Sequence, residues 1–370
     1  MELNPGSGTR RTFLQRLHLD GLLLAGLLVL SGIGLVILYS AAGQSEAILE
    51  RQLVRLALAY GALFVVAQIP PSLLFRWSPW LYGAGIGLLV AVLVMGDIGK
   101  GAQRWLDLGV VRFQPSEMMK LAVPMMLAWY LADARLPPDG RRLLVSAALI
   151  AVPTLLIARQ PDLGTSLLIA STGFFVLFLA GLSWRLLGAF AVVAAASLPV
   201  LWHFMHDYQR QRVLTFLNPE ADPLGAGYHI IQSKIAIGSG GLYGKGWLNG
   251  SQSQLEFLPE SSTDFIFAVL GEEFGLIGIL LVLLVYLFIL LRCVAIATQA
   301  QDTFTRLLAG SLALTFFVYL IVNTGMVTGL LPVVGLPLPL ISYGGTSMVT
   351  LMAGFGMLMS IHTHRKLLPG

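Results

Sequence analysis

The chain has 370 residues, of which 56% are hydrophobic and only 11% are charged, so it carries more apolar surface than a soluble domain of this length can bury. Its 23 basic residues are scattered singly between apolar runs, which excludes a basic patch for a nucleic-acid partner. The single cysteine, Cys293, excludes an intramolecular disulfide and a cysteine-based metal cluster. The composition therefore predicts an integral membrane protein.

Runs without charge locate the predicted membrane helices, because charged side chains are costly at the centre of a bilayer. Seven runs of 16–25 uncharged residues are each long enough for one helix: 21–45, 56–75, 77–96, 143–158, 163–184, 186–206 and 274–291. The 58 uncharged residues between Arg306 and Arg365 are interrupted by prolines, which predicts two helices joined on the outer side.

Residues 121–132 form a shorter run, which reaches the width of a bilayer only if its helix begins near Ser116 and takes Glu117 and Lys120 into the membrane. With this helix the number of predicted membrane helices is about ten. The sequence therefore predicts an all-α polytopic membrane protein, folded as one membrane domain over residues 1–370.

Basic residues before the first helix, Arg10, Arg11 and Arg16, predict a cytoplasmic N-terminus, and an even number of helices returns the C-terminus to the cytoplasm. Residues 205–263 are then one large extracytoplasmic loop between helices 7 and 8. Within it, residues 230–237 have apolar side chains at helical spacing, which predicts a short amphipathic helix on the membrane surface. A structured cap over the helix bundle is the alternative interpretation of this loop.

Ionisable residues near the predicted helices are the candidates for chemistry. Glu117 and Lys120 are three residues apart, hence on one helix face, and would form either a functional pair or a buried ion pair that holds the bundle together. Arg104 makes the preceding outer loop mildly cationic, which suits a phosphate or is ordinary solvated charge. Asp162 follows a tight turn, where it could cap the next helix. Asp264 lies at the start of the eighth helix, where it could be a general base toward a hydroxyl or an N-cap.

Six long motifs carry a resemblance to a known family. They are KGAQRWLD at 100–107, FQPSEMMK at 113–120, QPDLGTS at 160–166, DPLGAGY at 222–228, LPESSTDF at 258–265 and PLPLISYGG at 337–345. With these motifs the chain resembles, over nearly its whole length, the SEDS family (shape, elongation, division and sporulation) of polytopic peptidoglycan glycosyltransferases. Two further stretches, YQRQR at 208–212 and HIIQSKIAIGSGG at 229–241, are similar to the elongation branch of the family rather than the division branch.

The resemblance implies an enzyme that polymerises lipid II, the undecaprenyl-pyrophosphate-linked disaccharide pentapeptide, into glycan strands at the periplasmic face of the inner membrane. It also implies a class B penicillin-binding protein as partner, within the cell elongation machinery. By the family motifs Asp264 is expected to be catalytic, and Glu117 and Lys120 are the expected acid and base pair. Many members have His where this chain has Ser262, so an imidazole role there does not carry over.

A leaving pyrophosphate requires positive charge, which basic side chains or a divalent cation such as Mg²⁺ or Mn²⁺ could supply. The predicted substrate-binding set is Arg104, Glu117, Lys120, Asp162, Arg210, Arg212, Lys234, Glu260 and Thr263. Two other functions are compatible with the same membrane helices and ionisable residues: a lipid II flippase or transporter, and a non-enzymatic scaffold that activates the penicillin-binding protein. No repeat relates the two halves of the sequence, and the polar groups gather toward one face, which speaks against a transporter.

Overall fold

The computed structural model describes residues 16–95, 97–99, 102–107, 112–205, 207–221, 226–255, 257–258 and 260–364. Its helices are α1 (Gly21–Ala41), α2 (Glu46–Ala67), α3 (Pro71–Met95), α4 (Pro115–Leu131), α5 (Gly140–Ala158), α6 (Leu163–Leu179), α7 (Trp184–Phe204), α8 (Asp207–Leu217), α9 (Ala226–Gly240), α10 (Ser251–Gln254), α11 (Ile266–Thr298), α12 (Thr303–Val327) and α13 (Thr346–Thr363). A 3-10 turn spans Pro219–Ala221. The helical prediction is confirmed.

Among the described residues, five helices are long and apolar enough to cross a membrane, namely α1, α3, α5, α11 and α12, and α6 is a shorter apolar helix. Helix α4 begins at Pro115, as the short uncharged run required, and its first two turns bury Glu117 and Lys120. The two helices predicted between Arg306 and Arg365 are α12 and α13. The uncharged runs therefore located these helices correctly.

A small antiparallel sheet between α3 and α4 was not predicted. Its strands are β1 (Asp97–Gly99), β2 (Ala102–Asp107) and β3 (Arg112–Phe113), in the order β1-β2-β3. This segment was predicted to be a loop, so the predicted all-α class is corrected to a helical membrane protein with one small sheet. Strands of two to six residues are too short for alternation of polar and apolar side chains to reveal them.

Residues 205–263 contain more helix than the single amphipathic helix that was predicted, since α8, the 3-10 turn, α9 and α10 all lie there. Helix α9 lies where the short helix was predicted. It buries Ile230, Ser233 and Ala236, exposes Lys234 and Ile235, and packs against α11. This packing on the protein agrees with the interpretation of the segment as a structured cap.

Helix α11 is interrupted at Gly275, whose φ of 63° and ψ of −162° are accessible essentially only to glycine. Residues 239–246, the glycine segment, lie in the interruption and satisfy the backbone groups that it frees. The four bonds run from Leu276 N–H to Gly241 O (3.0 Å), Ile277 N–H to Leu242 O (3.2 Å), Lys245 N–H to Glu272 O (3.0 Å) and Gly246 N–H to Glu273 O (2.9 Å). The end of α9 is thereby attached to the middle of α11.

The connection between α12 and α13 folds back into the bundle over residues 332–343, the inserted segment. Leu338, Leu340 and Ile341 are buried there. Tyr286 of α11 donates its hydroxyl to Pro339 O (2.6 Å), and Gln52 of α2 donates its side-chain amide to Ser342 O (3.3 Å). Because helices from several parts of the chain hold it, this segment can form a fixed wall beside the start of α11.

Candidate functional site

Asp264 belongs to a compact turn that immediately precedes α11. The carbonyl oxygen of Glu260 accepts hydrogen bonds from the N–H groups of Thr263 (3.1 Å) and Phe265 (3.3 Å). The Thr263 hydroxyl also donates to the Glu260 carboxylate (2.7 Å). The structure therefore brings three predicted site residues, Glu260, Thr263 and Asp264, into one turn.

Three consecutive carbonyl groups of this turn are fixed from outside it. They are bonded as Tyr343 N–H to Ser262 O (2.8 Å), Ser342 Oγ–H to Thr263 O (2.6 Å) and Asn323 Nδ2–H to Asp264 O (3.0 Å). Two of the donors lie in the inserted segment and one in α12. The backbone that carries Asp264 is thus held by groups more than 50 residues away in the sequence.

The Asp264 side chain is half-buried and lies next to Gly335 of the inserted segment. A Cβ atom built on Gly335, which has a φ of 75°, would lie 3.6 Å from Asp264 Oδ2. The N-cap of α11 is Phe265, not Asp264. Asp264 therefore lies one residue before the N-cap position, and its role as a base stays a prediction.

Glu117 and Lys120 form the predicted pair, with 2.6 Å between Lys120 Nζ and Glu117 Oε1, and both side chains are buried. The Lys120 ammonium also lies 5.5 Å from the ring centroid of Tyr319 in α12. Glu117 Oε2 is buried without a hydrogen-bond partner among the described residues. Tyr319 is one helical turn from Asn323, so the ion pair and the Asp264 turn contact the same face of α12.

Asp162 caps α6, as predicted, by accepting a hydrogen bond from Thr165 N–H (3.3 Å). It also accepts one from the Gln114 side chain (3.3 Å), directly before α4. Two residues further on, a Cβ on Gly164 would come within 2.6 Å of the Val334 carbonyl oxygen. The starts of α4 and α6 and the inserted segment are therefore neighbours, and the family motifs at 113–120, 160–166, 258–265 and 337–345 lie around one region.

The predicted cationic residues are placed differently from one another. Lys234 of α9 is exposed and lies over the end of α12, since a Cβ on Gly329 would be 2.7 Å from its Nζ atom. Arg210 donates to the carbonyl groups of Trp202 (3.0 Å) and His203 (2.7 Å), so it caps the C-terminus of α7.

Two predicted arginines are described only by their backbone. Arg104 belongs to β2 and Arg212 to α8, and their side chains lie outside the described part of the structure. No three His, Cys, Asp or Glu side chains come together as a metal site in the described ranges. A divalent cation thus stays a prediction from the sequence.

Asn323, Ser342 and Gly335 surround Asp264 but were not singled out from the sequence. Ser342 belongs to the PLPLISYGG motif, which could have suggested it. Asn323 also gave a signal, since an amide within the long apolar run of α12 needs a partner inside the protein. Gly335 gave none, because its part depends on backbone conformation.

Comparisons with known proteins show which family has this sequence and fold. The family profile of the FtsW/RodA/SpoVE cell cycle proteins matches residues 14–367. The peptidoglycan glycosyltransferase MrdB of Escherichia coli K12 is 58% identical over 360 residues, covering 97% of both chains. A chain from a peptidoglycan synthase complex that coordinates polymerization and crosslinking superposes with a TM-score of 0.81, at 36% identity over 94% of this chain and 98% of that one. For the rod shape determining protein RodA of Thermus thermophilus the TM-score is 0.71, at 30% identity over 94% and 98% of the two chains. The chain belongs to the SEDS family, the FtsW/RodA/SpoVE cell cycle proteins.

Proposed function

We propose that this chain is a peptidoglycan glycosyltransferase, which polymerises lipid II into glycan strands at the periplasmic face of the inner membrane during cell elongation. The observation that carries the proposal is the convergence of four family motifs on the region between the Asp264 turn, the Glu117–Lys120 pair and the inserted segment. The E. coli relative that is 58% identical is named for this activity.

The proposed topology has ten crossings, formed by α1–α7 and α11–α13, with both termini in the cytoplasm. Each of these helices has at least 17 residues. Residues 205–263 are then the large extracytoplasmic element between the seventh and eighth crossings. This arrangement puts the Asp264 turn, at the start of the eighth crossing, on the side where lipid II would present its sugar headgroup.

In the proposed reaction the 4-hydroxyl of the acceptor N-acetylglucosamine attacks the anomeric carbon of the growing glycan. A bond forms between that oxygen and that carbon, the bond from the carbon to the pyrophosphate breaks, and undecaprenyl pyrophosphate leaves. The Asp264 carboxylate takes the hydroxyl proton. A base on a turn that is fixed at three consecutive carbonyl groups is already oriented before the substrate binds, which reduces the entropy cost of the reaction.

The leaving pyrophosphate is the other centre of charge. Lys120 and Lys234, with Arg104, Arg210 and Arg212, are the proposed sources of positive charge for it, and Asp162, Glu260 and Thr263 complete the proposed substrate contacts. Lys120 is the strongest of these candidates, because the contact of its ammonium with Tyr319 brings it to the α12 face that also holds Asp264. A bound Mg²⁺ or Mn²⁺ would supply further charge to the pyrophosphate.

The proposed partner is a class B penicillin-binding protein that cross-links the product. A chain of a peptidoglycan synthase complex is similar over 94% of this protein, which supports a partner of that kind.

The direct test separates an enzyme from a scaffold. The purified chain, in complex with a penicillin-binding protein whose transpeptidase serine is replaced by alanine, is incubated with lipid II, and the products are separated by length. We expect long glycan strands that lack cross-links. Unreacted lipid II, with the complex intact on gel filtration, would instead support a scaffold that activates its partner.

A further inference from the structure

Asn323 is fully buried in α12 and uses its side-chain amide to join two parts of the chain. Its Nδ2 group donates to the carbonyl oxygen of Asp264 (3.0 Å) and to that of Leu336 (2.8 Å). One amide thus holds the turn that carries the carboxylate and the inserted segment beside it.

The two acceptors belong to two chain segments that lie beside the Asp264 carboxylate: the turn that carries it and the inserted segment next to it. Leu336 directly follows Gly335, which is the residue packed against Asp264 Oδ2. A shift of either carbonyl group would therefore change the distance between the carboxylate and its wall. Both amide hydrogens of Asn323 are needed to fix the two at once.

Packing alone does not call for an amide at this position. Asn323 Oδ1 is buried without a hydrogen-bond partner among the described residues, which is unfavourable. A leucine has the same branched skeleton of four side-chain heavy atoms and buries no unpaired polar atom, but it could donate to neither carbonyl group. The feature that leucine cannot supply is the double donor.

We propose that Asn323 is a positioning residue for glycan polymerisation, which sets the place of the Asp264 carboxylate by fixing the Asp264 and Leu336 carbonyl groups together. The inference rests on the proposed function of Asp264. Asn323 acts through the backbone of these neighbours, so its loss should slow the chemical step more than it weakens substrate binding.

The test is Asn323→Leu, measured as the rate of glycan synthesis by the complex at a series of lipid II concentrations. We expect kcat to fall about 10- to 100-fold, because a displacement of about 1 Å at a catalytic group has effects of that size. KM for lipid II should stay within about threefold. Asn323→Ser keeps one hydroxyl donor and should have an intermediate kcat.

The matched control is Ser311→Ala, which also removes a buried interhelical hydrogen bond of α12, from Ser311 Oγ to Thr172 O (2.9 Å). Ser311 is twelve residues before Asn323, about 18 Å along the helix. This control should lower the melting temperature without changing kcat. A kcat of Asn323→Leu equal to that of the control would overturn the inference, and so would loss of the folded protein in both Asn323 variants, which would make the residue purely structural.

The variant Asp264→Asn separates this inference from the proposal that it rests on. If Asp264→Asn polymerises normally, the assignment of the base fails and the positioning role fails with it. If Asp264→Asn is inactive while Asn323→Leu keeps the normal kcat, only the positioning role fails.

Discussion

The Glu117–Lys120 pair is buried, and two interpretations of it predict different outcomes when both charges are removed together. If the pair only holds the bundle, replacing both charges with neutral side chains of similar size should be tolerated. If Lys120 stabilises the leaving pyrophosphate, the same change should abolish activity although the protein folds. Its contact with Tyr319, on the face of α12 that holds Asp264, favours the second interpretation.

We therefore expect the double variant Glu117→Gln/Lys120→Met to melt near the parent temperature but to polymerise lipid II about 100-fold more slowly or worse. The single variant Lys120→Met should be destabilised by about 3–5 kcal/mol, because it leaves a buried carboxylate unpaired. Thermal melting in detergent and glycan synthesis are measured on the same preparations. A double variant with normal synthesis would make the pair structural.

The ion pair could be predicted from the sequence because Glu117 and Lys120 lie on one helix face whatever the rest of the fold does. The cap formed by Asp162 was predictable for the same reason, since it is a local contact. The bond from Asn323 to Asp264 joins residues 59 positions apart. Nothing in the local pattern specifies such a partner.

Helix α11 depends on glycine at its interruption, which gives a test of how it is built. A Cβ at Gly275 would overlap the Gly244 N–H and the Leu242 carbonyl group of the glycine segment, in a backbone conformation that costs other residues about 1–3 kcal/mol. We expect Gly275→Ala to lower the melting temperature and to detach the glycine segment from α11. Hydrogen exchange at the N–H groups of Lys245 and Gly246 should then be faster.

The control for this change is Gly32→Ala in the middle of α1, where an added Cβ has no atom within 4 Å. Alanine should stabilise that helix by about 0.5–1 kcal/mol. Equal melting temperatures for the two variants would show that the interruption of α11 does not depend on glycine.

The interruption was not predictable, although the helix was. The run after Glu273 predicted a membrane helix, but no local signal in the sequence joined that helix to residues 239–246. Buried Glu272 strengthens the junction by binding Lys245 (2.7 Å) and Ser251 (3.0 Å). A buried carboxylate can serve either catalysis or folding, and these contacts assign Glu272 a structural role at the junction.

The two ends of the described chain meet in a cluster of titratable groups. The His18 and His364 rings stack with 3.8 Å between centroids, and nearby Asp20 pairs with Arg292 and His362. Burial and the neighbouring His18 lower the pKa of His364 below its usual value, partly opposed by a hydrogen bond to the Ser360 backbone. The folded protein thus favours the neutral ring.

The unfolded chain binds a proton at His364 more readily than the folded protein does. The contribution of the neutral His364 ring to stability should therefore be fully present above the usual histidine pKa of about 6.5, and it should be lost as the pH falls below that value. We expect the melting temperature to drop by a few degrees between about pH 7.5 and pH 5.5. His364→Gln should reduce this drop. An unchanged drop in His364→Gln would contradict this account of the cluster.

The set of apolar helices could be predicted from the runs without charge, because every segment that crosses a bilayer has to be helical and nearly free of charged side chains. What could not be derived is how the helices surround the site. The inserted segment is an example, since its prolines predicted only a break between two helices, whereas Leu338, Leu340 and Ile341 are buried inside the protein. The small sheet before α4 is another. Both depend on contacts between distant parts of the chain.

The most direct test of the central claim is glycan synthesis from lipid II by the purified complex that carries Asp264→Asn, with the transpeptidase serine of the partner replaced. The control is Glu50→Gln, which neutralises an exposed carboxylate near the start of α2. Asp264→Asn should bind its partner and melt normally but form no glycan, whereas Glu50→Gln should polymerise at the parent rate. Long glycan strands from Asp264→Asn would contradict the assignment of Asp264 as the base.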